Sequence, residues 1–507
     1  MTTAIPCSTD SRGAPTQLDL REHSMPAYPQ IGLFIGGGWR QTTATTPVLN
    51  PADDCEIGRV PRATAADLDD AVAAAVAGFA VWRATSPDAR CRIMLRASDL
   101  LRERIDEIAH VMTLEQGKPI AQSRSEILRA CEIIDWDANE GRRLYGRQIP
   151  AGPGMTHIVV REPLGVVAAF APWNFPISSP ARKVAGALAA GCSVILKAAE
   201  ETPASAVLLA RAFQDAGLPD GVLNLVFGVP SEISSHLIAS PAVRLVTFTG
   251  SVPVGKRLAS LAGEHMKPAI MELGGHCPVF VCDDVDVDEV ARQSAMVKAR
   301  NAGQVCVAPT RFYVDRRIHD AFVEAFAHHA ATLRIGDGLD PDVTMGPLAN
   351  RRRLDAMENL VLDAVARGGV AVTGGARHGN RGYFYPMTVL KDLPDDARCM
   401  VEEPFGPLAL ITPFGDLDEA IGKGNALPFG LAAYGFTHDA DRVAAMSARV
   451  ECGNLAINHY TASSAETPFG GVKDSGYGRE GGIEGLLCYT SAKNISHLTR
   501  PTVHSTR

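Results

Sequence analysis

The stretch LGVVAAFAPWNFP, residues 164–176, decides the fold class. Val166–Ala171 is an unbroken apolar run of strand length, and it stops at two prolines that bracket Trp173, Asn174 and Phe175. Ser179-Pro180 then opens a helix that Gly191 closes, and Ser193–Lys197 is the next apolar run. Thr202-Pro203 starts another helix, ended by Gly217; Val222–Phe227 and Leu245–Thr249 continue as strands with a helix between them. Apolar strands that do not alternate, joined by helices, predict an α/β fold with a parallel sheet covered on both faces. Ligands of such sheets sit beyond the carboxyl ends of the strands.

Upstream, Thr64 caps a helix with Asp67 three residues on, and Leu68, Val72, Val76 and Phe79 give it an apolar stripe. A second long helix runs from about Asp88 to the stop signal Gly117-Lys118-Pro119. Downstream, a second α/β stretch carries helices near Asp286–Ala299, Ile318–Leu333 and Arg352–Arg367, and the tail after Gly482 can supply a terminal strand. The first 28 residues mix Asp, Glu and Arg without the apolar stretch of a signal peptide, and read as a loose arm ahead of a first strand near Leu33–Ile35.

The chain has 507 residues, too many for one ordinary core, with 46% apolar and 21% charged residues. Its net charge of −8 gives no electrostatic reason to bind nucleic acid or an anionic membrane, and no apolar run is long enough to span a bilayer. Eleven scattered cysteines with no CxxC pair argue against a disulfide framework or a metal site, and fit a reducing cytoplasm.

Five motifs carry the chemistry. Asn174, stiffened by its prolines, has an NH2 suited to an oxyanion. Lys197-Ala198-Ala199-Glu200 ends a strand, and its charged pair can grip ribose hydroxyls. Phe248-Thr249-Gly250-Ser251 opens a helix with Gly255 one turn in, which suits a pyrophosphate. Glu272-Leu273-Gly274-Gly275 sets a carboxylate beside two glycines. Cys306 ends Asn301-Ala302-Gly303-Gln304-Val305-Cys306, where small and amide residues leave room for substrate. Singly, each also reads as ordinary structure: a rigid turn, a solvated pair, an N-cap, a glycine turn, a buried thiol.

Together and in this order, with 34 residues from acid to thiol, they resemble the aldehyde dehydrogenase superfamily from about Phe34 to about Leu498. The segments EEPFGP (402–407) and PFGGVKDSGYGRE (468–480) strengthen the resemblance. It implies that Cys306 is the nucleophile, that Asn174 completes an oxyanion hole, and that Glu272 activates the hydrolytic water. It implies NAD as cofactor. Trp173, Lys197, Glu200, Gly250, Ser251, Gly255, Glu403 and Phe405 would hold it, and Glu480 would serve as a secondary proton-relay acid. It also implies a cofactor domain over 29–145 and 165–275, a catalytic domain over 276–482, and an oligomerisation part from 146–164 and 483–507, assembled as a homodimer or homotetramer.

Arg182, Arg300 and Ser463 match residues that hold the distal carboxylate in succinate-semialdehyde dehydrogenases. An arginine near the nucleophile is costly in a partly dry pocket unless an anion joins it. Segment 125–146 also resembles α-ketoglutarate-semialdehyde dehydrogenases, so both substrates stay open. Where some relatives carry a second cysteine two residues after the nucleophile, this chain has Ala308. A CoA-acylating enzyme would lack the base at Glu272, and a recruited, non-enzymatic fold would have lost Cys306, Glu272 or Asn174. All three are present.

Overall fold

A computed structural model describes residues 28–499. The apolar runs around residue 164 form the centre of an eight-stranded sheet. Its five parallel strands lie in the order Leu223–Val226, Ser193–Lys197, Val166–Phe170, Val243–Gly250 and Ala269–Leu273. Nearly every residue in them is buried, because helices cover both faces. The strand order reverses between Val166–Phe170 and Val243–Gly250, where Phe170 pairs with Phe248. Such a reversal opens a crevice beyond the strand ends. The segments that leave these two ends are Trp173-Asn174 and Gly250-Ser251.

A seven-stranded sheet follows, with six parallel strands centred on Cys277–Val281 and Pro309–Asp315. Residues Gly476–Tyr477, expected to stay with this second stretch, return instead to the first sheet and pair antiparallel with Ala269–Leu273, so Gly476 faces Glu272. Three antiparallel strands, Arg147–Ile149, Met155–Pro163 and Thr490–Leu498, make a separate and largely exposed sheet. Of the expected N-terminal arm only Tyr28 is described, and its hydroxyl donates to Glu115 at 2.6 Å. Residues 1–27 and 500–507 lie outside the described residues.

Two helical expectations change. The Thr64–Asp67 capping box forms, but the helix Ala65–Ala84 buries Leu68, Ala71, Ala75, Gly78 and Trp82, leaving Val76 exposed. Small residues win that face because the helix packs against the chain at Gly221-Val222, where a Cβ on Gly78 would collide with backbone. The second helix is broken at Arg104 into Pro87–Glu103 and Ile105–Gln116, and Arg104 pairs with Asp215 at 2.7 Å.

Candidate active site

Asn174 is buried where the Val166–Phe170 strand gives way to the helix Ser178–Ala190. Its carbonyl accepts from Lys118 Nζ and from Asn301 Nδ2, both at 2.9 Å, and its own amide donates to the Gln304 carbonyl at 3.0 Å. Lys118 is in turn paired with Glu126 at 2.5 Å, with both side chains almost wholly buried. The other oxygen of Glu126 accepts the Ile177 and Ser178 N–H groups at 3.0 and 3.1 Å, a carboxylate on a helix N-terminus. One buried ion pair thus holds both the Asn174 backbone and the helix behind it. Lys118 reads in the sequence only as part of a helix stop, and Glu126 is not singled out there.

Cys306 is reached through three successive left-handed residues, Asn301, Ala302 and Gly303, with φ of 50°, 50° and 72°. Two of them are not glycine, so this turn persists only because its surroundings hold it. Gln116 donates to the Asn301 side chain at 2.7 Å, and the Asn301 N–H donates to Gln122 at 2.8 Å. Gly303 lies flat on Gly406-Pro407, with no space for a Cβ. Burial pushes the Cys306 thiol up to about 12; Glu403 and Glu272 push the same way, while the Val307 N–H and Arg182 oppose them.

Glu272 ends the Ala269–Leu273 strand, 3% exposed, with no protein partner on either carboxylate oxygen. Burial and the charge of Glu480 hold it well above the ordinary carboxylate range, against Lys183, Arg182 and Arg479. Glu480 is itself buried and paired with Lys183 at 2.6 Å; Lys183 also donates to Thr247 at 3.1 Å.

The cofactor motifs gather at the crevice. Lys197 Nζ pairs with Glu200 at 2.7 Å, and the other oxygen of Glu200 accepts the Gly228 N–H at 3.1 Å. Ser251 is the N-cap of the helix Val252–Glu264, and its hydroxyl makes no capping bond. Gly255 serves differently from the expectation: its N–H is used by the Ser251 carbonyl, and a Cβ there would strike Leu273, so it lets the helix approach the sheet. Glu403 accepts the Gly275 N–H at 3.1 Å, and Gly274 has no room for a side chain beside it. Burial raises Glu403 to about 7, against that N–H and the charges of Arg353 and Lys298. Phe405 meets Trp173 edge to face, ring centres 5.6 Å apart, closing the crevice from the second sheet's side. Arg353, not singled out in the sequence, lies over the Phe405 ring at 5.8 Å and donates to the Pro404 carbonyl.

On the far side of Cys306 opens a cavity of about 1020 Å³. Arg182, Arg300 and Ser463 all line it, together with Glu480, Phe175 and Phe469. The Arg182 guanidinium lies over the Phe469 ring at 5.3 Å and reaches the Ser463 hydroxyl at 3.5 Å, but its buried Nη1 has no partner. Arg300 lies over the Phe175 ring at 5.5 Å and makes no ion pair among the described residues. Two further arginines on the wall, Arg129 and Arg292, escaped the sequence reading because each has a glutamate three residues away and looks like a solvated helix charge.

The family model described as the aldehyde dehydrogenase family matches residues 39–495. The chain belongs to the aldehyde dehydrogenase family. Aldehyde dehydrogenases are oxidoreductases that use a nicotinamide cofactor. This aldehyde dehydrogenase is 48% identical over 469 residues to the 4-(hydroxymethyl)benzenesulfonate dehydrogenase TsaD1 of Comamonas testosteroni, a match covering 92% of the chain and 98% of the relative. It is 40% identical over 463 residues to the NADP(+) succinate-semialdehyde dehydrogenase GabD of Escherichia coli, covering 91% and 96%. The crystal structure of succinate-semialdehyde dehydrogenase from Burkholderia pseudomallei superposes with a TM-score of 0.91 at 39% identity, covering 93% of this chain and 99% of that one.

The raised Cys306 thiol has a measurable consequence in the cofactor-free aldehyde dehydrogenase. Only thiolate reacts with iodoacetamide, so labelling of Cys306, read by peptide mass spectrometry, should climb about tenfold per pH unit from roughly pH 7 to 10 without levelling. A plateau near the ordinary thiol value of about 8.5 would contradict it.

Proposed function

We propose that this aldehyde dehydrogenase oxidises an aldehyde whose far end carries an anion, with NAD as cofactor. One observation carries the reading: the unpartnered Nη1 of Arg182, buried in the wall of the cavity that opens onto Cys306. A guanidinium gains most where planar, charge-assisted bonds replace lost water. Carboxylate-bearing semialdehydes fit that end group, succinate semialdehyde first and α-ketoglutarate semialdehyde as its longer counterpart. The TsaD1 relative, named for an arylsulfonate, supports an anionic sulfonate end as a second reading.

In this scheme the Cys306 thiol gives its proton to water in the cavity as its sulfur attacks the aldehyde carbon and forms a thiohemiacetal, its oxyanion facing the Asn174 amide and the Cys306 N–H. Two such donors contribute on the order of 2.7–4 kcal/mol each in a dry site. The nicotinamide, when bound, supplies the acceptor for the hydride that converts the adduct to a thioester. Glu272 then takes a proton from water, which attacks the thioester; the acid leaves and the thiol is restored. Burial raises the proton affinity of the Glu272 carboxylate, which favours taking that proton. The Lys183–Glu480 pair beside it would pass the proton on.

The residues at the crevice fit the dinucleotide: a free Ser251 hydroxyl at a helix N-terminus, and a Glu403 tucked against a glycine cradle. Glu200, held by Lys197 and Gly228, would meet the adenosine ribose. A 2′-phosphate there would oppose its carboxylate at a cost of roughly 4 kcal/mol at about 4 Å and an effective dielectric of about 20. The exposed three-stranded sheet, where Ile158 and Ile495 are register partners, supports assembly as a homodimer or homotetramer. Free cysteines among the described residues support a cytoplasmic location.

Arg300 makes no ion pair among the described residues and is exposed, so its removal should leave the fold intact. Arg300→Ala should lower kcat/KM for succinate semialdehyde about tenfold to hundredfold while changing propanal little. An equal loss on both would sink the anionic-substrate reading. In the wild type, kcat/KM with NAD should exceed that with NADP by about tenfold or more. Parity would show that Lys197 shields the phosphate.

A further inference from the structure

One wall of the cavity has no part in that scheme. The helix Ile120–Glu140 presents Arg129 there. Its guanidinium donates to the Ser463 carbonyl at 3.0 Å and pairs with Glu132 at 3.0 Å. Arg182 reaches the hydroxyl of the same serine from a second helix, Ser178–Ala190. Arg300 comes from the turn that follows a third, Val287–Ala299. Three guanidinium groups from three separate elements therefore line one cavity, two of them meeting at Ser463. Burial lowers the affinity of Arg182 for its proton, and the nearby charge of Arg129 lowers it further, against the pull of Glu480, Asp137 and Glu272. Cations gathered in this way gain from an anion shared among them.

The shape of that anion follows from the number of directions. A carboxylate has two oxygens in one plane, and the Arg182 and Arg300 guanidinium groups with the Ser463 hydroxyl already suffice for both. A third cation on a different element adds little to it. A sulfonate has three oxygens spread around the carbon–sulfur axis and can accept from three sides at once.

We propose that Arg129 completes, with Arg182, Arg300 and the Ser463 hydroxyl, a subsite for a sulfonate, and makes the enzyme prefer a sulfonate-bearing aldehyde to the matching carboxylate. The inference rests on the anionic-aldehyde reading and moves the preferred end group from carboxylate to sulfonate. Glu132, which lines the same cavity, offsets part of the Arg129 charge, but the pair is partly exposed and solvent screens that offset.

The test uses the full chain with NAD and three aldehydes that differ only at the far end: propanal, succinate semialdehyde and 3-sulfopropanal. The wild type should show the highest kcat/KM with 3-sulfopropanal. Arg129→Gln should lower the sulfonate-to-carboxylate ratio about tenfold or more, chiefly through KM, and Arg129→Lys should restore part of it. A ratio unchanged in Arg129→Gln, with both anionic substrates falling together, would make Arg129 a support for the Ser463 segment and overturn the proposal. Wild-type preference for succinate semialdehyde would overturn it too, while leaving the anionic reading intact. Propanal used as well as either anion would remove the anionic reading itself.

Discussion

The candidate site depends on the buried pair of Lys118 and Glu126. Its ammonium end fixes the Asn174 carbonyl, and its carboxylate end holds the first N–H groups of the following helix. Asn301, bonded to the same carbonyl, ties the left-handed turn before Cys306 to this point. A pair so deeply buried gains little over an apolar contact of equal volume, but losing one partner costs about 3–5 kcal/mol. What it supplies here is position: it fixes the Asn174 carbonyl, to which Asn301 then ties the turn before Cys306. Without it neither the Asn174 amide nor the strained turn at 301–303 has a fixed place.

Around that frame the charges are arranged in opposition. Glu272, Glu403 and Glu480 crowd the thiol side, and burial together with their mutual repulsion pushes Glu272 and Cys306 toward their neutral forms. On the substrate side four arginines line the cavity against two glutamates, with Arg182 short of a partner. Acidic groups thus lie beside the reacting sulfur, and arginines outnumber glutamates along the cavity. On the proposed reading, an aldehyde with an anionic tail would enter carbonyl-first, its tail drawn to the arginines.

The parts legible in the sequence were those written in local pattern. Apolar runs such as Val166–Phe170 and Ser193–Lys197 carry the signal of a buried parallel strand on their own. Gly191 and the Thr64–Asp67 box mark helix ends by local backbone chemistry. Cys306, Glu272, Asn174, Arg182, Arg300 and Ser463 are singled out through family motifs, and the fold brings the last three to the cavity beside the thiol. What escaped depends on partners distant in the chain. Lys118 meets Asn174 across 56 residues, and Arg129 meets Ser463 across 334. The buried face of the first long helix was misread because hydrophobicity favours Val76, whereas close packing on Gly221 demands Gly78. Gly255 was read as a phosphate contact, though its missing side chain makes room for Leu273.

The division of labour between Cys306 and Glu272 is the centre of this account, and rapid-mixing kinetics of Glu272→Gln tests it most directly. With saturating NAD and an anionic aldehyde, the variant should form about one equivalent of NADH per active site in a fast burst, then turn over on the order of a hundredfold more slowly than wild type. That result means that the thioester forms on Cys306 and waits for water. Steady turnover at the wild-type rate would show that another group activates the water. A vanished burst would show that Glu272 is needed before the thioester forms, and either outcome would contradict the assignment.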